Sequence, residues 1–368
     1  MTRLAVVIAG GGTGGHLYPG IAVARELLRR VPEATVTFAG TERGIESRVV
    51  PREGFVLDTL RSAGLKGTSP AALVRGLGLL PLSAADAWRI VSRRKPDLVI
   101  GVGGYSSGPV VLAAAVRRIP TMLLEQNAVP GLTNRLLARV VSAAAVTFES
   151  SASFFGRRGF VAGNPIRAEF LESGTEESES GAGVEAGTAP ARVLIFGGSQ
   201  GAHAINLAMV EAAPRLAAHR GGMAITHQTG ERDLERVRDG YRAAGLAARV
   251  EPFLYQMDRE MKAADIIVCR AGATTIAELT AAGKPAVLIP LPTAADDHQR
   301  KNAEVLAAAG AADLIEQKDL TGVRLADRIL ALVADRTRRD TMAAAARRFA
   351  KPEAARVIVD KALELVRR

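Results

Sequence analysis

Two glycine-rich stretches end where a proton-transfer group or a phosphate could be held. Gly10-Gly11-Gly12-Thr13-Gly14-Gly15-His16 directly follows the apolar run Leu4 to Ala9, and Gly197-Gly198-Ser199-Gln200-Gly201-Ala202 directly follows Val193 to Phe196. A strand that passes through such a loop into a helix leaves backbone N–H groups at the positive end of the helix dipole, which suits a phosphate. Glycine permits the sharp turn and lets the backbone approach an anion closely. His16 closes the first loop with a side chain that titrates near neutral pH. Two such junctions predict two similar α/β domains facing one phosphate-bearing ligand.

Further polar clusters stand at predicted strand ends. Gly101-Val102-Gly103-Gly104-Tyr105-Ser106-Ser107-Gly108-Pro109 follows Leu98–Ile100, and Glu125-Gln126-Asn127 ends the next apolar run. Glycine-rich strand ends side by side form an open crevice at the carboxyl edge of a parallel sheet. In the second half, Arg270 to Glu278 follows Ile266–Cys269, which puts Ala273, Thr274 and Thr275 at a helix N-terminus ready for a diphosphate. Glu278 lies one turn further on, placed for ribose hydroxyls or simply an exposed helix glutamate. Asp296 to Asn302 forms another dense polar cluster after Leu288–Pro292.

Other chemistries lack their residues. Gly10–Gly15 satisfies G-x-G-x-x-G, but the second strand ends Phe38-Ala39-Gly40-Thr41 without the acidic residue a dinucleotide site wants. No aspartates stand in D-x-D spacing, and His16, His203, His219, His227 and His298 show no paired metal spacing, so no metal and no cofactor is expected. There is no G-x-S-x-G and no Walker pattern. Cys269 is the only cysteine, which excludes an internal disulfide, fits a reducing cytosol and reads as a small core residue.

These loops need elements to hold them. Short apolar runs alternate with helical stretches: Leu4–Ala9, Ala34–Ala39, Asp97–Gly101, Thr121–Glu125 and Ser142–Thr147, then Val193–Phe196, Ala224–His227, Arg249–Glu251, Ile266–Cys269, Ala286–Pro290 and Ala312–Ile315. The first helix is predicted over Pro19 to Arg30. This is the pattern of parallel sheets with right-handed crossovers. Apolar residues make up 48% of the 368 residues and aromatics 4%, so the core is aliphatic. The predicted domains are 1–164, an acidic aperiodic linker at 165–190, a second domain at 191–340, and a terminal helical segment at 341–368 that could return to the first domain. No run approaches about 18 apolar residues, so no membrane span is expected.

Charge is uneven. Residues 1–164 carry 20 Lys/Arg against 10 Asp/Glu, and residues 165–190 carry one Arg against six Glu. A basic first domain could meet nucleic acid, anionic lipid or a phosphorylated substrate, or be merely solvated. No recognition motif or aromatic stacking platform supports nucleic acid. Residues 60–95 combine Leu73, Leu77, Leu80, Leu82 and Trp88 with Arg61, Lys66, Arg75, Arg89, Arg93, Arg94 and Lys95. That segment reads either as a peripheral docking ridge for anionic lipid or as core leucines under a solvated face.

The stretches GGGTGGHLYPG (10–20), GVGGYSSGP (101–109), EQNAVPGLTN (125–134), GNPIR (163–167), GGSQGA (197–202), CRAGATTIAE (269–278) and DDHQRKNA (296–303), in this order, resemble the MurG family. The resemblance implies a GT-B fold, α/β, with two Rossmann-like domains whose parallel sheets face across a cleft. It implies a metal-independent, inverting transfer of N-acetylglucosamine from UDP-N-acetylglucosamine to the C4 hydroxyl of a lipid-linked muramyl-pentapeptide, at the cytoplasmic face of the membrane. Carried over by position, Phe253 and Leu254 flank the uracil and Glu278 holds the ribose. Ser199, Thr274 and Thr275 meet the diphosphate, with Arg167 as an additional contact. The Ala273 backbone and Gln299 meet the sugar, and Thr13, Gly14 and Asn127 reach the donor from the first domain. Gly15, His16, Gly103, Gly104 and Tyr105 form the acceptor side, with His16 the general-base candidate. By its residue type alone His16 could equally cap the helix or bind phosphate. Leu124 stands where some relatives have histidine, and His298 where some have glutamine. The alternatives are a UDP-N-acetylglucosamine 2-epimerase, a transferase with a soluble acceptor, or a non-catalytic nucleotide-sugar binding module.

Overall fold

The computed structural model describes residues 4–62, 70–171, 190–198, 201–219 and 222–367, with backbone only for residues 70–77, 168 and 171. Ser199 and most of the acidic 165–190 stretch lie outside the described residues. The chain divides into two compact units, Met1–Ala168 with Lys351–Arg368, and Glu169–Ala350.

The first unit is built on a parallel sheet of β1 (Ala5–Gly10), β2 (Thr35–Gly40), β3 (Val56–Thr59), β4 (Leu98–Gly103), β5 (Thr121–Glu125), β6 (Ala143–Val146) and β7 (Gly159–Val161), in the order β3-β2-β1-β4-β5-β6-β7. β1 and β4 are buried almost throughout, as strands covered by helices on both faces must be. The order reverses between β1 and β4, which opens a crevice at their carboxyl ends. Pairing of these two strands shifts register between Ala9 and Gly10, where the glycine loop begins.

Helix α1 (Gly14–Arg30) covers the sheet with Leu17, Ile21, Ala24 and Leu27. The helix Ala354–Arg367 adds Ile358, Val359, Ala362 and Leu365 to the same core. Each fully buried aliphatic side chain of this kind contributes about 1.5–3 kcal/mol. Truncating Ile358 to Ala would therefore cost about 2–5 kcal/mol and loosen the last helix from its unit.

The second unit repeats the plan with β8 (Ala191–Phe196), β9 (Met223–Gln228), β10 (Ala248–Glu251), β11 (Ile266–Cys269), β12 (Ala286–Leu288) and β13 (Ala312–Leu314). Their order is β10-β9-β8-β11-β12-β13, again parallel, and the reversal falls between β8 and β11.

Three details differ from the sequence expectation. β3 and β7 were not foreseen, because both are short edge strands with little apolar alternation. α1 begins at Gly14, not Pro19, so Pro19 lies inside the helix and His16 stands in its first turn. A proline there forfeits one backbone hydrogen bond, and burial of Pro19 and Gly20 against the sheet accompanies it. The terminal segment splits differently from 341–368. Helix Arg336–Arg347 buries Met342, Ala345 and Ala346 within the second unit, and the chain re-enters the first unit only at Lys351.

Candidate active site

In the first unit the loops after β1 and β4 interlock backbone to backbone. Gly10, Gly11 and Gly12 all have positive φ, at 136°, 149° and 84°. A Cβ on Gly10 would lie 2.4 Å from Gly103 O, and one on Gly104 would lie 2.5 Å from Gly11 O, so neither position accepts a side chain. One expectation fails here. The Gly12 N–H does not await a phosphate: it donates to the Glu46 carboxylate at 2.8 Å. Glu46 is fully buried and also accepts from the Thr41 N–H and hydroxyl, each at 2.8 Å. The seat a dinucleotide fold gives to phosphate is occupied by the chain's own carboxylate, which also counts against a nicotinamide cofactor.

His16 is thereby left facing the loop after β4. A Cβ on Gly103 would lie 2.8 Å from His16 Nδ1, so that glycine makes room for the ring. His16 Nδ1 lies 3.1 Å from Gln126 Oε1, and Gln126 Nε2 donates to Val102 O at 3.0 Å. Thr13 is the exposed N-cap residue of α1, yet its hydroxyl makes no capping hydrogen bond. Tyr105 is exposed, with its ring edge beside Gly12. The structure therefore gathers Thr13, Gly14, Gly15, His16, Gly103, Gly104 and Tyr105 at the reversal of the sheet.

The cluster after β5 has a structural cause. The buried Glu125 carboxylate accepts from the Asn127 N–H (3.0 Å), Asn127 Nδ2 (3.3 Å), the Gly131 N–H (3.0 Å) and Asn134 Nδ2 (2.8 Å). Four donors converging on one carboxylate fold the segment into a fixed turn and orient Asn127, which is itself buried. Arg167 is exposed at the end of the unit.

In the second unit, Gln228 links two motifs the sequence left separate. Its Nε2 donates to Gly198 O at 2.8 Å, and its Oε1 accepts from the Leu254 N–H at 3.2 Å. The side chain is buried, so the glycine loop and the Phe253–Leu254 segment are held in register. Phe253 is exposed and meets Tyr255 edge to face at 5.0 Å between centroids, offering an aromatic surface. Behind the loop, a Cβ on Gly201 would lie 1.8 Å from Thr229 O. Asn206 Nδ2 donates to that same carbonyl and to Asp233, and Asn206 Oδ1 faces His227 Nε2 at 3.1 Å. Burial pushes His227 down to about 3, so the ring is neutral.

The helix Ala273–Ala282 starts directly after β11, with Gly272 as N-cap. Thr274 and Thr275 lie in its first turn. The Thr274 Oγ1 is buried with no hydrogen-bond partner among the described residues, an arrangement that costs free energy unless a ligand supplies the partner. Glu278 is buried in the following turn. Arg270 donates to Ile289 O, Pro290 O and Gln317 Oε1, at 3.0, 3.1 and 2.7 Å. Burial lowers it to about 10, which leaves it charged at neutral pH. It clamps the segment that leads to Leu291, whose N–H donates to Gln299 Oε1 at 3.0 Å. The Gln299 carbonyl is thus used internally and its NH2 carries the remaining donors. Before it, Asp296 and Asp297 both adopt left-handed backbone, at φ 55° and 56°. Such strain in two successive non-glycine residues is held by the surroundings.

The glycosyltransferase family 28 N-terminal domain matches residues 6–146 and the family 28 C-terminal domain matches residues 192–358. A protein from Anaeromyxobacter sp. (strain K), named UDP-N-acetylglucosamine--N-acetylmuramyl-(pentapeptide) pyrophosphoryl-undecaprenol N-acetylglucosamine transferase, is 50% identical over 364 residues, covering 99% of this chain and 93% of its own. The crystal structure of Acinetobacter baumannii MurG superposes with a TM-score of 0.81 at 32% identity, covering 98% of this chain and 100% of that one. The chain belongs to the MurG family. A UDP-GlcNAc 2-epimerase from Neisseria meningitidis, solved with UDP-GlcNAc, reaches a TM-score of 0.69 at 16% identity over 99% of this chain and all of its own, a likeness of fold alone.

Within this MurG-family chain, four residues around the strand-end loops escaped the sequence reading: Glu46, Gln126 in its contact with His16, Gln228 and Tyr255. The first three are polar and buried next to glycine loops, and only their burial marks them.

The basic ridge at 60–95 also needs correction. Leu80, Leu82 and Trp88 are exposed, while Lys66 and the side chains of Leu73, Arg75 and Leu77 lie outside the described residues. Arg93 and Arg94 are not free basic residues: both clamp the buried Asp58 carboxylate, and Arg61 is paired with Asp86. Among the described residues Arg89 makes a 3.5 Å contact to Asp86 at 76% side-chain exposure, and Arg117 sits over the Trp88 ring at 5.2 Å.

Proposed function

We propose that the chain transfers N-acetylglucosamine, with inversion, from UDP-N-acetylglucosamine to the C4 hydroxyl of undecaprenyl-pyrophosphoryl-N-acetylmuramyl-pentapeptide, the step from lipid I to lipid II in peptidoglycan synthesis. One observation carries this reading: half the residues match, over 99% of the chain, a relative named for that transfer.

The roles are those the family resemblance implies for these positions. Glu278 accepts hydrogen bonds from the ribose, and Phe253 and Leu254 flank the uracil. Ser199, Thr274, Thr275 and the helix N-terminus meet the diphosphate, with Arg167 as a further cation. The Thr274 hydroxyl supports this, since a phosphoryl oxygen would supply its missing partner. The Ala273 backbone, Gln299 and Asn127 contact the sugar, and Thr13 and Gly14 serve the donor. His16, with Gly15, Gly103, Gly104 and Tyr105 around it, receives the acceptor. His16 Nε2 takes the C4 hydroxyl proton as that oxygen attacks C1 of N-acetylglucosamine. The bond from C1 to the diphosphate oxygen breaks, and UDP leaves with the charge stabilised by helix dipole and hydroxyl donors. In this reading no metal is needed for that stabilisation.

The acceptor's lipid keeps it in a bilayer, so the enzyme works as a peripheral protein at the cytoplasmic face. No helix among the described residues is long and apolar enough to cross a membrane. Exposed Leu80, Leu82 and Trp88 with Arg89 support docking on an anionic surface. The deciding experiment is a transfer assay with both substrates in the presence of a chelator. Lipid-linked disaccharide should form at an unchanged rate. Turnover of UDP-N-acetylglucosamine to its epimer, or no turnover, would refute the reading.

A further inference from the structure

His16 can act as the base only if its lone pair is on the nitrogen that meets the acceptor, so the tautomer decides whether the residue works. The structure fixes that tautomer through a buried neighbour of the ring. Gln126 is 2% exposed, at the end of β5. Its amide lies between the Val102 carbonyl, 3.0 Å from Nε2, and His16 Nδ1, 3.1 Å from Oε1. A backbone carbonyl only accepts, so the amide NH2 must face Val102, whichever way the two amide atoms are assigned. Its oxygen then faces His16, and an amide oxygen also only accepts. Nδ1 must therefore carry the proton. Neutral imidazole has one ring proton, which places the lone pair on Nε2.

Two features keep the amide from turning. The neighbouring Glu125 carboxylate is held by Asn127, Gly131 and Asn134, which immobilises the turn that carries Gln126. On the other side, Gly103 lets the Nδ1 edge of the ring pack into the protein, where any side chain would collide with it. We propose that Gln126 is a positioning residue that locks His16 in the Nδ1–H tautomer, through the relay Val102 O, Gln126, His16. This rests on the reading of His16 as the proton acceptor. Holding the wrong tautomer would leave the ring in place with no lone pair to offer.

The test uses the full-length protein labelled with 15N-histidine. Five histidines make the long-range imidazole spectrum readable, and loss of one set in His16→Gln assigns it. At a pH where His16 is neutral, Nδ1 should appear as the protonated nitrogen and Nε2 as the one bearing the lone pair. In Gln126→Met, which keeps length and removes both hydrogen bonds, the Nε2–H form should emerge. Its kcat should fall by roughly 5- to 10-fold, the loss of one hydrogen bond's worth of preference, while the KM for UDP-N-acetylglucosamine stays within about twofold. An Nε2–H tautomer in the wild-type protein overturns the proposal without any variant. So does a Gln126→Met enzyme with unchanged kcat where His16→Ala itself loses turnover. If the wild type shows the Nδ1–H form and Gln126→Met loses it, yet His16→Ala turns over normally, the lock stands and the base assignment falls.

Discussion

The Glu46 carboxylate lies inside the first glycine loop, 2.8 Å from the Gly12 N–H. A Cβ on Gly11 or Gly44 would collide with it, so the glycines serve an internal carboxylate as much as any ligand. Glu46→Ala should leave the part-buried Gly12 N–H and the buried Thr41 N–H unpaired. We expect a loss of about 1–3 kcal/mol in urea unfolding. An unaltered midpoint would mean the carboxylate does not organise the loop.

His16→Ala should lower kcat by roughly 100-fold or more while leaving UDP-sugar affinity nearly intact, because a general base acts in the transition state. Steady-state kinetics with lipid-linked acceptor and calorimetry with UDP separate the two. Near-normal turnover would hand the proton to another group.

Glu278 is buried in the second turn of the helix Ala273–Ala282. Glu278→Ala should weaken donor binding by roughly 1.5–3 kcal/mol, the range for hydrogen bonds to a charged group. Calorimetry that finds the same affinity for both proteins would take Glu278 out of the ribose site.

Membrane docking predicts a contrast between neighbouring arginines. Trp88→Ser with Arg89→Ser should reduce pelleting with anionic vesicles severalfold and spare UDP affinity, and salt should weaken the wild-type interaction. Arg93→Ser with Arg94→Ser should instead lower the melting temperature, since Asp58 is 5% exposed and loses both partners. Equal pelleting of neutral and anionic vesicles would count against this surface.

His227 makes stability depend on pH. Its folded pKa, about 3, lies below the ordinary 6.5 because burial disfavours the cation. The unfolded chain therefore binds this proton first. Stability from this group is complete above pH 6.5 and falls, by roughly 1.4 kcal/mol per pH unit, as the pH drops toward 3. Urea midpoints at pH 7 and pH 5 should differ less for His227→Gln than for the wild type. Parallel shifts in both proteins would place the acid sensitivity elsewhere.

Much of the architecture was legible along the chain. Eleven apolar runs became strands of two parallel sheets, because buried strands declare themselves by continuous Val, Ile, Leu and Ala. β3 and β7 escaped, since an edge strand needs no such run. The motif loops stood out because glycine at a strand end has few other uses.

What the sequence by itself determined is therefore local: which segments are strands, where each turns into a helix, and which residue types wait at those turns. Local steric and hydrophobic rules act over a few residues and can be read in order. Only the tertiary structure decided that Glu46 fills the loop 34 residues before it, that Gln126 meets His16 from 110 residues away, and that Arg93 and Arg94 serve Asp58 rather than a lipid surface. Those pairings arise where the strand order reverses and sequence-distant loops come into contact. Burial then forces each polar group to find a partner, and the partner is whatever the sheet has brought within hydrogen-bond reach.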